Sequence, residues 1–222
     1  MGPCIVTGGD GALGAVVVQR LRSMGAPVAI IQRRPSQRAD GLVFGGVDLS
    51  DASAATSALD AAAKALGGLY ALVNVAGAFR WETVADGNIA TWDFLYAANV
   101  KTAVNASRAA LPHLVKNGGG RIVNIGANAA TKAAAGMGAY AASKAGVAKF
   151  TEALAEEVKD KGITVNAVLP SIIDTQANRA DIPKADFSKW VSPEEIAALI
   201  GFLLSEEARS ITGSLIPITG RV

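Results

Sequence analysis

Cys4-Ile5-Val6-Thr7-Gly8-Gly9-Asp10-Gly11-Ala12-Leu13-Gly14 passes, in one short stretch, from a β-type run through a glycine-rich turn into residues that open a helix. Continuous rather than alternating apolar character is what a strand buried on both faces requires. The glycines permit a tight turn and let backbone N–H groups come close to an anion. A helix beginning directly behind them adds the positive end of its dipole. Such a turn can also be purely structural, and this stretch alone leaves both readings open. Its place at the first strand favours the anion reading.

The rest of the chain repeats the same alternation. Short β-type runs fall at Cys4–Thr7, Val28–Ile31, Leu42–Val47, Tyr70–Val75, Arg121–Ile125, Thr164–Leu169 and Ser214–Ile218. Helical patterns lie between them at Ala12–Met24, Asp51–Leu66, Asn88–Lys116, Ala139–Lys161 and Pro193–Leu204. Glycines stop several of them (Gly25, Gly67, Gly162), and Ser192 is a good cap for the last. The expected fold is therefore α/β: one doubly wound, Rossmann-type domain over residues 1–222, with a seven-stranded parallel sheet flanked by helices. The 222 residues suit one core and leave no length for a second domain. Residues 171–191 form the one long irregular stretch, and a loop of that length in a compact domain is usually functional.

Composition removes several classes of function. Half of the residues are hydrophobic, 18% are charged and the net charge is +2, which calls for neither nucleic acid nor a membrane surface. No apolar run approaches the length of a membrane span. No secretory signal is visible, so a cytoplasmic location is expected. Cys4 stands alone and reads as a small buried hydrophobe, which excludes an internal disulfide and argues against a metal site. His113, the one histidine, sits in a helical pattern and reads as structural, against a Ser-His-Asp hydrolase.

The end of the second β-run bears on the anion. An acidic residue there would hold a ribose 2′-hydroxyl, yet this chain has Gln32-Arg33-Arg34, with Arg38 beyond and no acid before Asp40. Guanidinium groups match a 2′-phosphate in charge and in fork geometry. NADP(H) is therefore favoured over NAD(H) as cofactor, the alternative being that these arginines only solubilise a loop.

Tyr140-Ala141-Ala142-Ser143-Lys144 begins a helical pattern, and a spacing of four puts the tyrosine and lysine on one face. A phenol titrates near pH 10, too high for ready proton exchange at neutrality. A nearby ammonium is expected to lower that value and let the phenol donate to a carbonyl or imine as hydride arrives. Tyr-x-x-x-Lys is common by itself and informative only beside the glycine turn.

With both elements present, the chain resembles the short-chain dehydrogenase/reductase family over nearly its whole length. The resemblance rests on Thr7–Gly14, Asp48-Leu49, Asn74-Val75-Ala76-Gly77, Asn99-Val100, Val123-Asn124-Ile125, Tyr140–Lys144, and Pro170 with Thr175. It implies an NAD(P)H-dependent oxidoreductase with Tyr140 as acid/base. Lys144 would bind the nicotinamide ribose and tune the phenol, and Asn99 would hold a water in the proton relay. The cofactor would meet Gly8, Asp10, Ala12, Leu13 and Gly14 at the turn, then Gln32, Arg33 and Arg34. Asp48 and Leu49 would lie at its adenine, Asn74, Ala76 and Gly77 along the cleft, and Pro170 and Thr175 at the carboxamide.

One position departs from the family. A serine usually stands thirteen residues before the tyrosine and hydrogen-bonds the substrate oxygen, but here Ala127 occupies that place. One preorganised donor is worth roughly 3 kcal/mol in other enzymes. Either Asn128, Thr131 or a water substitutes, or the substrate does not need it.

Within the family the chain resembles the dihydropteridine reductases, which also carry alanine there. The shared residues include Gly8–Gly14, Gly136-Met137, Ala167–Pro170 and Asp174-Thr175, then Asn178-Arg179, Ala185–Trp190 and Gly213–Ile216. That subgroup differs in using an acid where Gln32 stands and in lacking an asparagine at the Asn99 position. The resemblance implies reduction of a quinonoid dihydropterin or a similar conjugated electrophile. The alternatives are a general carbonyl reductase or alcohol dehydrogenase, and an NADP(H)-binding sensor without turnover. Ala127, Trp81, Phe187 and Trp190 are the expected substrate neighbours, with Phe79 beside them. The partner is a small molecule, and the alanine-rich helices suggest a homodimer or homotetramer.

Overall fold

The computed structural model describes residues 1–35 and 42–222, so Arg38 and Asp40 lie outside the described residues. Fully buried apolar runs become inner strands: β1 (Cys4–Thr7), β2 (Val28–Ile31), β4 (Ala71–Asn74), β5 (Gly120–Ile125) and β6 (Ile163–Pro170). The edges are weaker. β3 shrinks to Val43–Phe44 where Leu42–Val47 is expected, because an edge strand has a partner on one side only. The other edge is β7 (Leu215–Ile218). All seven strands are parallel, in the order β3-β2-β1-β4-β5-β6-β7.

The order places β1 inside the sheet, with the chain crossing to β2 on one side and to β4 on the other. Thr7 is in register with Ile31 and with Asn74, so a crevice opens beyond these three strand ends. Such switch points are where open α/β sheets bind ligands.

Helices cover both faces and divide the core in two. α2 (Ala52–Leu66), α4 (Thr102–Lys116) and α5 (Gly138–Val158) bury alanines and leucines such as Leu59, Ala106, Leu114 and Leu154 on one side. α1 (Ala12–Ser23) and α7 (Pro193–Leu203) bury Val17, Leu21, Ile196 and Ile200 on the other. Local signals define their ends. Asp51 caps α2 by accepting from Ala54 N at 2.7 Å, and Gly67 ends it in a left-handed conformation. Ser192 and Glu195 form a reciprocal capping box on α7.

Two departures from the expected pattern lie near the crevice. Asn88–Lys116 is not one α-helix: α3 (Ile89–Leu95) passes through a π-helical turn, Tyr96–Lys101, into α4. Residues 171–191 are not irregular throughout either. They contain a short helix, α6 (Gln176–Asp181), and a 3-10 turn, Phe187–Lys189. The base of this excursion is tied by an Ile173–Val191 bridge and by Asp174 N donating to Val191 O at 2.8 Å. Among the described residues no helix is long and apolar enough to cross a membrane.

Candidate active site

The crevice beyond β1 is a cleft of 880 Å³. Its floor at one end is the glycine turn. Gly8 adopts φ +67 and its carbonyl accepts from Gly11 N at 3.1 Å, which closes the turn. A side chain at Gly14 would run into the Gly8 carbonyl, and one at Gly8 would press on the Ala76 backbone at 3.0 Å. Glycine is therefore required at both positions, and the backbone stays bare where a pyrophosphate would lie. Asp10, Ala12 and Leu13 line the same end.

The neighbouring wall carries the residues expected at the adenine and its ribose. Gln32 is buried and donates to Arg34 O at 3.2 Å. Arg33 and Arg34 both line the cleft, and the exposed Arg34 guanidinium stands 3.8 Å from the Asp10 carboxylate. Asp48 accepts from Ser50 N at 2.9 Å and from its hydroxyl at 2.7 Å, and these bonds hold its carboxyl below the usual range. Leu49 is buried beside it. Asn105 of α4 donates to the carbonyls of Leu49 and Ser50 at 3.0 and 3.1 Å, a support that no motif announces.

At the far end Tyr140 and Lys144 share one face of α5, as their spacing requires. Lys144 is buried and donates to Ile125 O at 2.8 Å. Its ammonium lies 5.9 Å from the centre of the Tyr140 ring. Burial pushes the Tyr140 phenol up to about 12 and draws Lys144 down to about 8. The expectation that Lys144 lowers the phenol pKa is thus corrected for the protein without cofactor. Loss of water disfavours both charged forms, and the lysine's hydrogen bond goes to a backbone carbonyl. A phenol held neutral remains competent to donate a proton.

Asn99 lies on the π-helical turn, buried, and does not line the cleft. Its Oδ1 accepts from Ala78 N at 2.8 Å, and its Nδ2 donates to Ala78 O at 3.0 Å and to Ser143 Oγ at 2.9 Å. Ser143 in turn donates to Tyr140 O at 2.7 Å. The asparagine side chain therefore ties the segment following β4 to the helix carrying Tyr140. A π-turn inserts an extra residue into the helical repeat, and such turns often occur at functional sites.

Other expected residues sit further off. Ala76 and Gly77 line the cleft, whereas Asn74 lies beneath it, donating to Ser107 Oγ at 3.0 Å and to Asn124 Oδ1 at 2.8 Å. Pro170 closes β6, and Thr175 accepts from Asn178 N to cap α6. Neither lines the cleft, whose wall there is Ile173. Ala127 is buried in extended backbone and offers no donor. Of the two side chains considered in its place, Thr131 is exposed and spends its hydroxyl on Asn128 O at 2.7 Å. Asn128 is half-buried on the one-turn 3-10 helix Asn128–Ala130.

The aromatic residues divide. Phe79 lines the cleft and meets Tyr140 edge to face, with ring centres 4.9 Å apart. Trp81 is exposed and donates its indole N–H to Ala135 O at 3.1 Å. Phe187 and Trp190 pair at 4.8 Å away from the cleft lining. Trp190 is only 7% exposed and packs on Phe187. Arg179 braces this pair: its guanidinium lies 4.9 Å from Phe187 and holds Asp174 with two bonds of 2.6 and 2.7 Å.

Residues 4–186 match a family model described as short chain dehydrogenase. Nodulation protein G of Azospirillum brasilense is 35% identical over 97% of this chain and 96% of its own. A 3-oxoacyl-[acyl-carrier-protein] reductase of Pseudomonas aeruginosa is 34% identical over 95% of this chain and 88% of its own. The solved structure of a Serratia marcescens short-chain dehydrogenase/reductase superposes with a TM-score of 0.88 at 31% identity, covering 99% of this chain and 96% of that one. These relatives are not dihydropteridine reductases, so the likeness to that subgroup rests on the shared residues quoted above.

Proposed function

The chain belongs to the short-chain dehydrogenase/reductase family, an oxidoreductase family of NAD(P)(H) users, and we propose that it reduces a small conjugated electrophile with NADPH. A nicotinamide in the cleft supplies a hydride. The bare backbone at Gly8 and Gly14, and at Gly77, where a side chain would strike Asn99 Oδ1, would take its phosphates and ribose, with Arg33 and Arg34 beside a 2′-phosphate. Tyr140 holds the proton that the product needs, and Lys144 orients the ribose next to it. Asn99, through Ala78 and Ser143, keeps the tyrosine helix and the segment after β4 in fixed relation. Pro170, at the end of β6, and Thr175, at the start of α6, belong to the carboxamide side in this reading.

The observation that carries the substrate class is Ala127. It is buried, offers no donor, and Thr131 is committed elsewhere. A substrate reduced here must accept hydride without a serine to polarise it. A quinonoid dihydropterin is such an electrophile. A general carbonyl reductase is the second reading, favoured by the 3-oxoacyl reductase among the relatives; Asn128 would then be the replacement donor. Self-association through exposed apolar residues of α3 and the π-turn, among them Ile89 and Tyr96, goes with either reading.

The test is NADPH and NADH oxidation with quinonoid dihydropterin and with a panel of 3-oxo esters and aldehydes. Fast pterin turnover with NADPH supports the first reading. Turnover confined to the carbonyl panel establishes the second. Tight NADPH binding with no turnover of either means that the protein is a binder and not a reductase.

A further inference from the structure

Residues 78–82 cross the mouth of the cleft as a strap fixed at three points. Asn99 grips both backbone groups of Ala78, at 2.8 and 3.0 Å. Trp81 donates its indole N–H to Ala135 O at 3.1 Å, and Glu82 N donates to Gly136 O at 2.8 Å. Gly136 has φ +74, and a side chain there would overlap the Trp81 indole, so the strap and the 135–136 turn are fitted to each other. Phe79 sits between these fixings. Its ring stands edge to face on Tyr140, at 4.9 Å and 85°, yet the residue is 52% exposed. A large apolar side chain pinned beside the reacting phenol and left half in solvent is poorly explained by core packing.

We infer that Phe79, pinned edge-on against Tyr140 by the Asn99–Ala78 and Trp81–Ala135 bonds, selects substrates whose group next to the reacting carbon is planar. The inference rests on Tyr140 being the proton donor proposed above. A substrate atom receiving that proton must lie against the phenol, and the substituent it carries then shares the space that Phe79 borders. A planar conjugated group can lie along an aromatic ring; a tetrahedrally branched one cannot do so without displacing it. Phe94 and Ala97 continue the same apolar wall, and Arg80 lies over the Phe94 ring at 4.2 Å, outside the site.

The experiment compares kcat/KM with NADPH for an aryl methyl ketone and for tert-butyl methyl ketone. The unaltered chain is expected to prefer the planar ketone by about tenfold or more, within the usual reach of apolar pocket discrimination. Phe79→Ala is expected to compress that ratio about tenfold while leaving NADPH affinity unchanged. Trp81→Phe keeps the ring and removes the clasp, and is expected to give an intermediate ratio. A ratio that Phe79→Ala leaves unchanged overturns the inference, as does an unaltered chain with no preference. Tyrosinate titration of the cofactor-free protein needs no turnover. A chain that reduces neither ketone nor pterin defeats the proposed function. In that case an unchanged Tyr140 titration in Phe79→Ala also defeats the placement of Phe79, whereas a lowered midpoint upholds it.

Discussion

The carboxamide of Asn99 closes a two-point bond on Ala78, accepting from its N–H and donating to its carbonyl, while the same amide nitrogen reaches Ser143. Three polar groups, two on the half-buried Ala78 and one on the buried Ser143, are bonded to this one side chain. Replacing Asn99 by Leu removes all three bonds, leaving the half-buried Ala78 groups to water and Ser143 Oγ with its bond to Tyr140 O alone, and losses of this kind cost about 1–3 kcal/mol. The variant is expected to lose roughly that much stability in urea unfolding. Its kcat is expected to fall more than its NADPH affinity, because the glycine turn is untouched. Equal loss of both would mean that the bond serves folding alone.

Tyr140 is expected to stay protonated in the cofactor-free protein until about pH 12. The difference between the tyrosinate titrations of the unaltered chain and Tyr140→Phe isolates it from Tyr70 and Tyr96. A step near pH 10 would contradict the burial described here. As the proton donor, Tyr140 is expected to cost about 10²- to 10⁴-fold in kcat when changed to Phe.

Burial of Lys144 gives a signed pH dependence. Its value in the folded chain is about 8, against 10.5 unfolded. Below the lower value both states hold the proton, and the cost of the buried ammonium is complete. Between the two, the unfolded chain binds a proton that the folded one has released, so stability rises with pH. The difference in unfolding free energy between Lys144→Met and the unaltered chain is therefore expected to shrink by up to about 3 kcal/mol across that interval. Cys4 and Tyr140, which titrate higher, are common to both proteins and cancel. A difference that is flat with pH would place the lysine's titration elsewhere.

Arg33 and Arg34 set cofactor preference if a 2′-phosphate lies between them. Arg34→Ala is expected to weaken NADPH binding about tenfold or more and NADH binding hardly at all. Asp10→Asn removes the carboxylate 3.8 Å from Arg34 and is expected to tighten NADPH binding. Nucleotide fluorescence titrations at two salt concentrations check both. Parallel effects on NADPH and NADH would return these arginines to a solvent role.

The fold was readable because its signals are redundant. The inner strands are predominantly apolar rather than alternating, and Gly67, Ser192 and Asp51 act where they stand. The glycine turn and the Tyr140–Lys144 pair were legible for the same local reason. What escaped depends on distant partners. Nothing in Tyr96–Lys101 announces a π-turn, and Asn105 contacts Leu49 and Ser50 across more than fifty residues of chain. The burial of Trp190 was not legible because an aromatic in a loop shows no periodicity, which is what would reveal the side it buries. Gln176–Asp181 is too short for a helical repeat to stand out. The phenol's raised titration was invisible because water exclusion belongs to the assembled cleft and to no single residue.

The place of β1 between β2 and β4 has a consequence for how the protein is made. This strand is synthesised before its two sheet neighbours, β2 and β4, which follow at very different delays, and β5 and β6 arrive later still. Nucleotide cradle and proton-donating helix are therefore completed at separate moments of synthesis, the cradle before α5 emerges. Long-range parallel pairing of this kind is slow. In refolding followed by pulsed hydrogen exchange, amides of β1 and β4 are expected to gain protection before those of β6 and β7. Simultaneous protection of all the strands would show that the sheet closes in one step.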